Sequence, residues 1–279
     1  MRGNNRDKTN VSGRTAVRSG ATSASVPTAA SRTFAWGGAA LFALSLVYFL
    51  FAYFVTFGET VRLSNAPDVA ARTGMVRELR PIAWDVALFT VFALHHSVFA
   101  RERMRAEIRR LAGPLERSVY VWIASALFIV VCAAWAPVAG VVWRVEGFGT
   151  WGFRGVQLLG VWLTLRSAAV IDAFDLAGVR QLKSAPTSNA PIEFKTDGPY
   201  GWMRHPIYAG WFLVVFAVPT MTRTRFVFAI TSCAYLLIAI PLEERSLRRT
   251  TGGAYDTYMR QVPWRLVPGL FLLVLHILR

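Results

Sequence analysis

The sequence predicts an all-α integral membrane protein, a bundle of five to six transmembrane helices ending in a C-terminal helical hairpin. Three observations predict it. Hydrophobic residues make up 54% of the 279 with glycine left out, where soluble domains reach about 45–50% with glycine counted. Only 17% of residues are charged. The apolar residues also gather in runs close to the roughly 20 needed to cross a bilayer core. Lone strands cannot satisfy their backbone in lipid, and the runs are too long for barrel strands, so each run reads as a helix.

Residues 1–32 are rich in Ser, Thr, Gly and Arg and contain no aromatic residue. They lack the apolar surface to fold and read as a disordered basic arm, without the apolar core of a secretory signal. Residues 33–279 form the membrane domain. Its first span is Phe34–Phe57, followed by Pro81–Ala100, Ser118–Val138 and Trp151–Ile171. Two shorter runs, Ile207–Thr220 and Phe226–Leu242, flank the polar stretch from Met221 to Arg225, which suits the tip of a tight hairpin. Five spans result if that hairpin stops short of crossing. The tail Leu266–Arg279 is apolar but too short to span, which suits the interface or packing on the bundle. Cys132 and Cys233 lie inside apolar runs. Two cysteines make no disulfide framework.

The net charge of +15 would ordinarily point to a polyanion, but its distribution follows the spans. Lys and Arg number six in the arm, six in 101–117, four in 176–204 and five in 243–265. The alternate loops carry four (58–80), one (136–150) and two (221–225). This asymmetry predicts both termini in the cytoplasm. Most of the positive charge is thus an orientation signal, and no nucleic-acid partner is implied.

Ionisable residues near or inside spans are expensive and mark function. His95 and His96 close the second span, and Asp172 and Asp175 close the fourth. Arg204 and His205 open the fifth, and Glu243 and Glu244 close the sixth. The topology brings all eight to the cytoplasmic boundary. Pro206 suits the first helical position, where its missing N–H costs nothing. His205 then sits at the helix mouth, with Tyr208 three residues on and on roughly the same face. A helix N-terminus beside Arg204 attracts a carboxylate or phosphate. Gly210 permits close approach of a ligand or a helix. The adjacent Glu243 and Glu244 suit an ammonium group or hydroxyls. Gly253-Ala254-Tyr255-Asp256-Thr257-Tyr258 with Val262-Pro263 reads as an amphipathic return covering this pocket. The bland alternatives are positive-inside anchoring for Arg204 and Arg245, surface pairing for the two glutamates, and interfacial placement for the histidines. No ligand spacing supports a metal.

Gly198-Pro199-Tyr200, Arg204-His205-Pro206-Ile207-Tyr208-Ala209-Gly210, Glu243-Glu244, and Gly253-x-Tyr255-x-x-Tyr258 with Val262-Pro263 resemble the isoprenylcysteine carboxyl methyltransferase-like superfamily. Within it, Leu94-His95-His96-Ser97-Val98-Phe99-Ala100-Arg101 with Glu116-Arg117-Ser118-Val119-Tyr120, and Ile171-Asp172-Ala173-Phe174-Asp175 through Gln181, resemble the methanethiol S-methyltransferases. The similarity runs from about Pro81 to Pro268. His95 stands where the pattern has glutamine.

The resemblance implies a cytoplasmic cofactor pocket for S-adenosyl-L-methionine within residues 195–268. It implies cofactor contacts from Tyr200, Arg204, His205, Pro206, Tyr208, Gly210, Glu243, Glu244, Tyr255 and Tyr258. It further implies methyl transfer to a small thiol, methanethiol yielding dimethyl sulfide, in a bacterial inner membrane. Because the thiolate is the nucleophile, His96, Asp172 and Asp175 are candidate proton acceptors and Arg180 a candidate thiolate partner. Other acceptors (hydrogen sulfide, an isoprenylcysteine carboxylate, a lipid) and a nicotinamide-dependent, sterol-reductase-like chemistry are the alternatives.

Overall fold

A computed structural model describes residues 28–59, 75–99, 101–171, 179 and 196–266. The expected arm up to residue 27, the sites Asp172, Asp175 and Arg180, and the tail beyond residue 266 lie outside the described residues. Helix α1 (Ala29–Phe51) takes up the last four residues of the expected arm, because Thr28 caps it: the Thr28 hydroxyl accepts from the Ser31 amide at 3.2 Å. There follow α2 (Met75–Phe99), the short basic α3 (Glu102–Ala112), α4 (Glu116–Ala133) and α5 (Gly149–Ile171). The C-terminal part is α6 (Pro206–Phe216), α7 (Arg223–Thr250) and α8 (Ala254–Gln261). α2 starts before Pro81 rather than at it. α4 stops at Ala133, short of the expected Val138, and Pro137 explains part of this because the residue before a proline is pushed out of the helical region.

The protein is an all-α membrane protein. Four helical segments among the described residues are long and apolar enough to cross a bilayer: Ala29–Glu59, Leu79–Phe99, Arg103–Ala133 and Arg223–Thr250. α5 has the length, 23 residues, yet is not one of these four; it carries Arg154, Gln157, Arg166 and four glycines. α6 has only 11 residues, about 16 Å of helix.

The hairpin solves its own length problem with a broken helix. After Phe216 the chain runs through Ala217–Pro219 into the short strand β2 (Thr220–Thr222), which pairs antiparallel with β1 (Val141–Arg144). Six residues at roughly 3.3 Å each add about 20 Å to α6. Together with α6 this is long enough to run alongside the roughly 30 Å of α7 from Arg223 to Glu243. Non-helical backbone at membrane depth is tolerated only where protein satisfies it, and here four side chains meet the carbonyls of the last turn of α6 and of the run beyond it. Gln157 Nε2 donates to Val214 O at 3.1 Å, and the Tyr53 hydroxyl donates to Val215 O. Trp143 Nε1 donates to Val218 O at 3.0 Å, and Arg225 donates to Thr220 O at 2.7 Å. The expected polar tip is therefore an anchored ribbon with Met221, Thr222 and Thr224 buried. The side chains of Thr222, Thr224 and Arg225 serve the backbone, while Arg223 faces solvent.

Arg225 also answers an irregularity in α1. Residues Ala52–Thr56 continue that helix as a π-turn, and Arg225 donates to Tyr53 O (2.9 Å) and Phe54 O (2.8 Å). Around this anchor sits the core, an aromatic cluster of Phe49, Tyr53, Phe57, Phe89, Trp135 and Phe228. α5 and α6 approach closely at Gly160 and Gly210: a Cβ on Gly160 would lie 2.8 Å from Gly210 O, and one on Gly210 would meet Thr164 and Gly160 O. Small residues let two backbones touch in this way. The space at Gly210 is thus filled by a helix, one of the two occupants the sequence allows.

Candidate active site

The loop before α6 and the last turns of α7 meet at one carboxylate. Glu244 receives Arg204 Nε on Oε1 at 2.8 Å, with the imidazole of His205 3.3 Å from the same oxygen. Arg265 Nε reaches Oε2 at 3.0 Å, and the Tyr255 hydroxyl lies 3.5 Å from Oε1. The Arg204 and Glu244 side chains are only 7% and 5% exposed. Arg204 spends further donors on the carbonyls of Val262 and Pro263, both at 2.8 Å. Backbone bonds from Arg204 N to Trp264 O and His205 N to Arg265 O, 2.9 Å each, hold the return segment against the mouth of α6. Gly252 and Gly253, with φ of 57° and 94°, make the reversal from α7 into α8 that the return needs.

Glu243 behaves differently. Its side chain is 46% exposed, it accepts from the Tyr208 hydroxyl at 2.9 Å, and the His205 ring nitrogen stands 3.8 Å away. The His205 and Tyr208 rings stack with centroids 5.4 Å apart. His205 is the N-cap residue of α6 and Pro206 follows at the first helical position, as the sequence predicts, but the imidazole turns to the glutamates and places no cap on the helix. The Tyr258 hydroxyl donates to Tyr200 O at 2.8 Å. Burial pushes the Tyr258 phenol up to about 12 although Arg204 opposes it, and burial likewise raises Tyr200 and Tyr255. These phenols are neutral hydrogen-bonding groups at any physiological pH.

A second polar cluster lies at the same end of the bundle, between α2, α4 and α7. His96 Nδ1 is 2.8 Å from the Tyr120 hydroxyl, and Ser97 Oγ is 3.0 Å from the Tyr235 hydroxyl. Tyr120 and Tyr235 lie within electrostatic reach of Tyr208, and Tyr235 within reach of Glu243. The two clusters are therefore neighbours. His95 stacks on Phe99 and Tyr120 with centroids 4.6 and 5.9 Å away, and its ring nitrogens are buried without a hydrogen-bond partner among the described residues.

Comparison with known proteins decides the family. The chain is 37% identical to the methanethiol S-methyltransferase of Crocosphaera subtropica, over 80% of this chain and 91% of that protein. It is 34% identical to methanethiol S-methyltransferase 2 of Bradyrhizobium diazoefficiens (79% and 85%) and 32% to the enzyme of that name from Mycobacterium tuberculosis (81% and 94%). The chain belongs to the methanethiol S-methyltransferase family. It is a methyltransferase. Human Nurim is a more distant relative, 30% identical over 66% of the chain. No family model matches, and no solved structure does either.

Within the methyltransferase, the structure brings together Tyr200, Arg204, His205, Pro206, Tyr208, Glu243, Glu244, Tyr255 and Tyr258. It turns Gly210 to α5 instead. Of the residues expected to handle the acceptor, His96 is placed beside Tyr120; Asp172, Asp175 and Arg180 lie outside the described residues. Sequence reasoning overlooked Arg265, Tyr120, Ser97 and Tyr235. Tyr120 and Ser97 stand inside the quoted motifs, and Arg265 ends the Val262-Pro263-Trp264 run, so all three carried a local signal. Tyr235 is one aromatic among many in an apolar helix. Only its contact with Ser97 distinguishes it.

Proposed function

We propose that the protein transfers a methyl group from S-adenosyl-L-methionine to a small thiol, methanethiol giving dimethyl sulfide, at the cytoplasmic face of a bacterial inner membrane with both termini in the cytoplasm. The observation that carries the reading is the division of labour between adjacent glutamates. Glu244 is consumed by Arg204, His205 and Arg265, while Glu243 stays half exposed beside Tyr208 and an α6 N-terminus without a side-chain cap.

A zwitterionic, sugar-bearing ligand fits that donor set. Glu243 suits an ammonium or ribose hydroxyls, and the helix mouth suits a carboxylate. His205, Tyr208, Tyr200 and the α8 tyrosines would line the pocket, while Arg204 and Glu244 frame it. When bound, S-adenosyl-L-methionine supplies an electrophilic sulfonium methyl, which passes to the thiolate sulfur to leave the thioether and S-adenosylhomocysteine.

The chain's task is alignment and proton handling, since in-line transfer gains most from positioning and exclusion of water. His96 is the acceptor-side base. If its Nδ1–H donates to the Tyr120 oxygen, Nε2 keeps a lone pair for the thiol proton. Asp172, Asp175 and Arg180 are further candidates for that proton and for the thiolate. A small apolar thiol partitions into lipid, so an acceptor route between α2, α4 and α7 suits it. The excess of Lys and Arg in the loops at this end supports the orientation.

The test uses purified protein, labelled methyl donor and a panel of thiols, with volatile thioether as the readout. Labelled dimethyl sulfide is the expected product. His96→Gln should lower turnover by about 10²–10⁴-fold, the usual worth of a general base, with donor affinity unchanged in calorimetry; Tyr120→Phe should lower it less. Wild-type rates in His96→Gln would remove it from the mechanism. Absence of any labelled thioether would remove the thiol.

A further inference from the structure

The end of the bundle opposite Glu244 holds a feature that methyl transfer does not use. A cavity of about 160 Å³ opens there, lined by Phe54, Arg154, Gln157, Thr220 and Arg225 among others. Among the described residues its lining contains two guanidiniums and no carboxylate. The two positive groups are close enough to repel one another. Among the described residues, neither has an acid within ion-pair distance.

Arg225 is preorganised. It is 8% exposed, and three of its donors are fixed on the carbonyls of Tyr53, Phe54 and Thr220, leaving two N–H bonds of the five a guanidinium carries. Arg154 is exposed on the first turns of α5 and, among the described residues, retains its full fork. Arginine against the positive-inside trend calls for a reason, and the backbone accounts for Arg225 but not for Arg154. The level in the membrane is also legible. Nineteen positions separate Arg225 from Glu244 on α7, about 28 Å of helix. Phe148 and Trp151 beside Arg154 are 91% and 72% exposed, as in the aromatic belts found at headgroup depth.

We propose that this cavity binds a phosphate group, either the headgroup phosphate of a membrane phospholipid or free phosphate. The open fork of Arg154 beside the two remaining N–H bonds of Arg225 matches phosphate oxygens, and the anion relieves their mutual repulsion. Bound there, it ties the π-turn of α1, the start of α5 and the ribbon at the hairpin tip into one unit. The site is independent of the methyl-transfer reading.

The experiment measures the Tm of the full-length protein, purified in phosphate-free detergent. Dioleoylphosphatidylglycerol, dioleoylphosphatidylcholine, dioleoylglycerol or inorganic phosphate is then added. Phospholipid should raise Tm above the phosphate-free dioleoylglycerol arm, and Arg154→Gln should lose at least half of that rise. Arg249→Gln, a loss of positive charge at the other end of α7, should keep it. A rise reproduced by inorganic phosphate alone identifies free phosphate as the occupant, and a rise with phospholipid alone identifies the headgroup. No phosphate-dependent rise in the wild type overturns the proposal whether or not Arg154→Gln folds. An equal rise in wild type and Arg154→Gln also overturns it.

Discussion

Replacing Glu244 with glutamine should loosen the hub around Arg204 while leaving the half-exposed Glu243 carboxylate in place. The side chain keeps its shape but loses the charge that faces Arg204, Arg265 and His205. Removing one partner of a buried ion pair costs about 3–5 kcal/mol, because the other charge stays buried and uncompensated. Two features move Glu244→Gln to the lower end. Arg204 retains the carbonyls of Val262 and Pro263, and the Arg265 side chain is 56% exposed, so its share is under about 1 kcal/mol. The expected loss is about 3 kcal/mol, or a fall in Tm of about 6–12 °C for a chain of this size.

The assay is thermal unfolding in detergent, paired with hydrogen exchange over residues 251–266, which should become the first segment to open. Glu243→Gln is the contrast. Its half-exposed carboxylate should cost less than about 0.5 kcal/mol of stability but weaken S-adenosyl-L-methionine binding about tenfold or more, the worth of one charged hydrogen bond. If Glu244→Gln melts within a degree of wild type, or Glu243→Gln melts as low as Glu244→Gln, the division between frame and ligand contact is wrong.

Two further expectations follow from the geometry. Gly210→Ala should destabilise by about 1–3 kcal/mol, the range for overpacking, because its Cβ would stand 2.7 Å from the Gly160 carbonyl; a melting temperature equal to wild type would show that α5 and α6 do not touch there. Alkaline stability should carry the signature of Tyr258, whose folded pKa is raised from its ordinary value to about 12. Between pH 10 and 12 the folded state holds a proton that the unfolded state has released, so stability is fully present below about pH 10 and declines above it. Tyr258→Phe should show a shallower decline in a pH-resolved melt, and an unchanged slope would place the phenol in solvent.

Much of the site was legible because its residues lie in short local patterns at helix ends. His205 ahead of Pro206, the paired Glu243 and Glu244, and Tyr255 and Tyr258 one turn apart each have a local reason to sit where they do. What those patterns could not assign was partnership. Two adjacent glutamates look equivalent in sequence, yet successive helical positions point about 100° apart, so one enters the Arg204–Arg265 hub and the other stays half exposed beside Tyr208. Tyr235 and Arg265 became visible only through contacts that cross between elements.

By itself, the sequence determined the membrane class, the helical character and the end at which polar groups gather. These follow from hydrophobic run length, the backbone's need for internal hydrogen bonds and the distribution of Lys and Arg, all properties of the chain read locally. Only the tertiary structure decided how the short α6 is extended by a ribbon whose carbonyls are met by Gln157, Tyr53, Trp143 and Arg225. It alone turned Gly210 to a helix, divided the glutamates and placed two arginines around a cavity at the far end. The physical reason is common to all four: a hydrogen bond, an ion pair or a steric contact between residues distant in sequence depends on where separate elements cross, and that crossing is a property of the packed bundle.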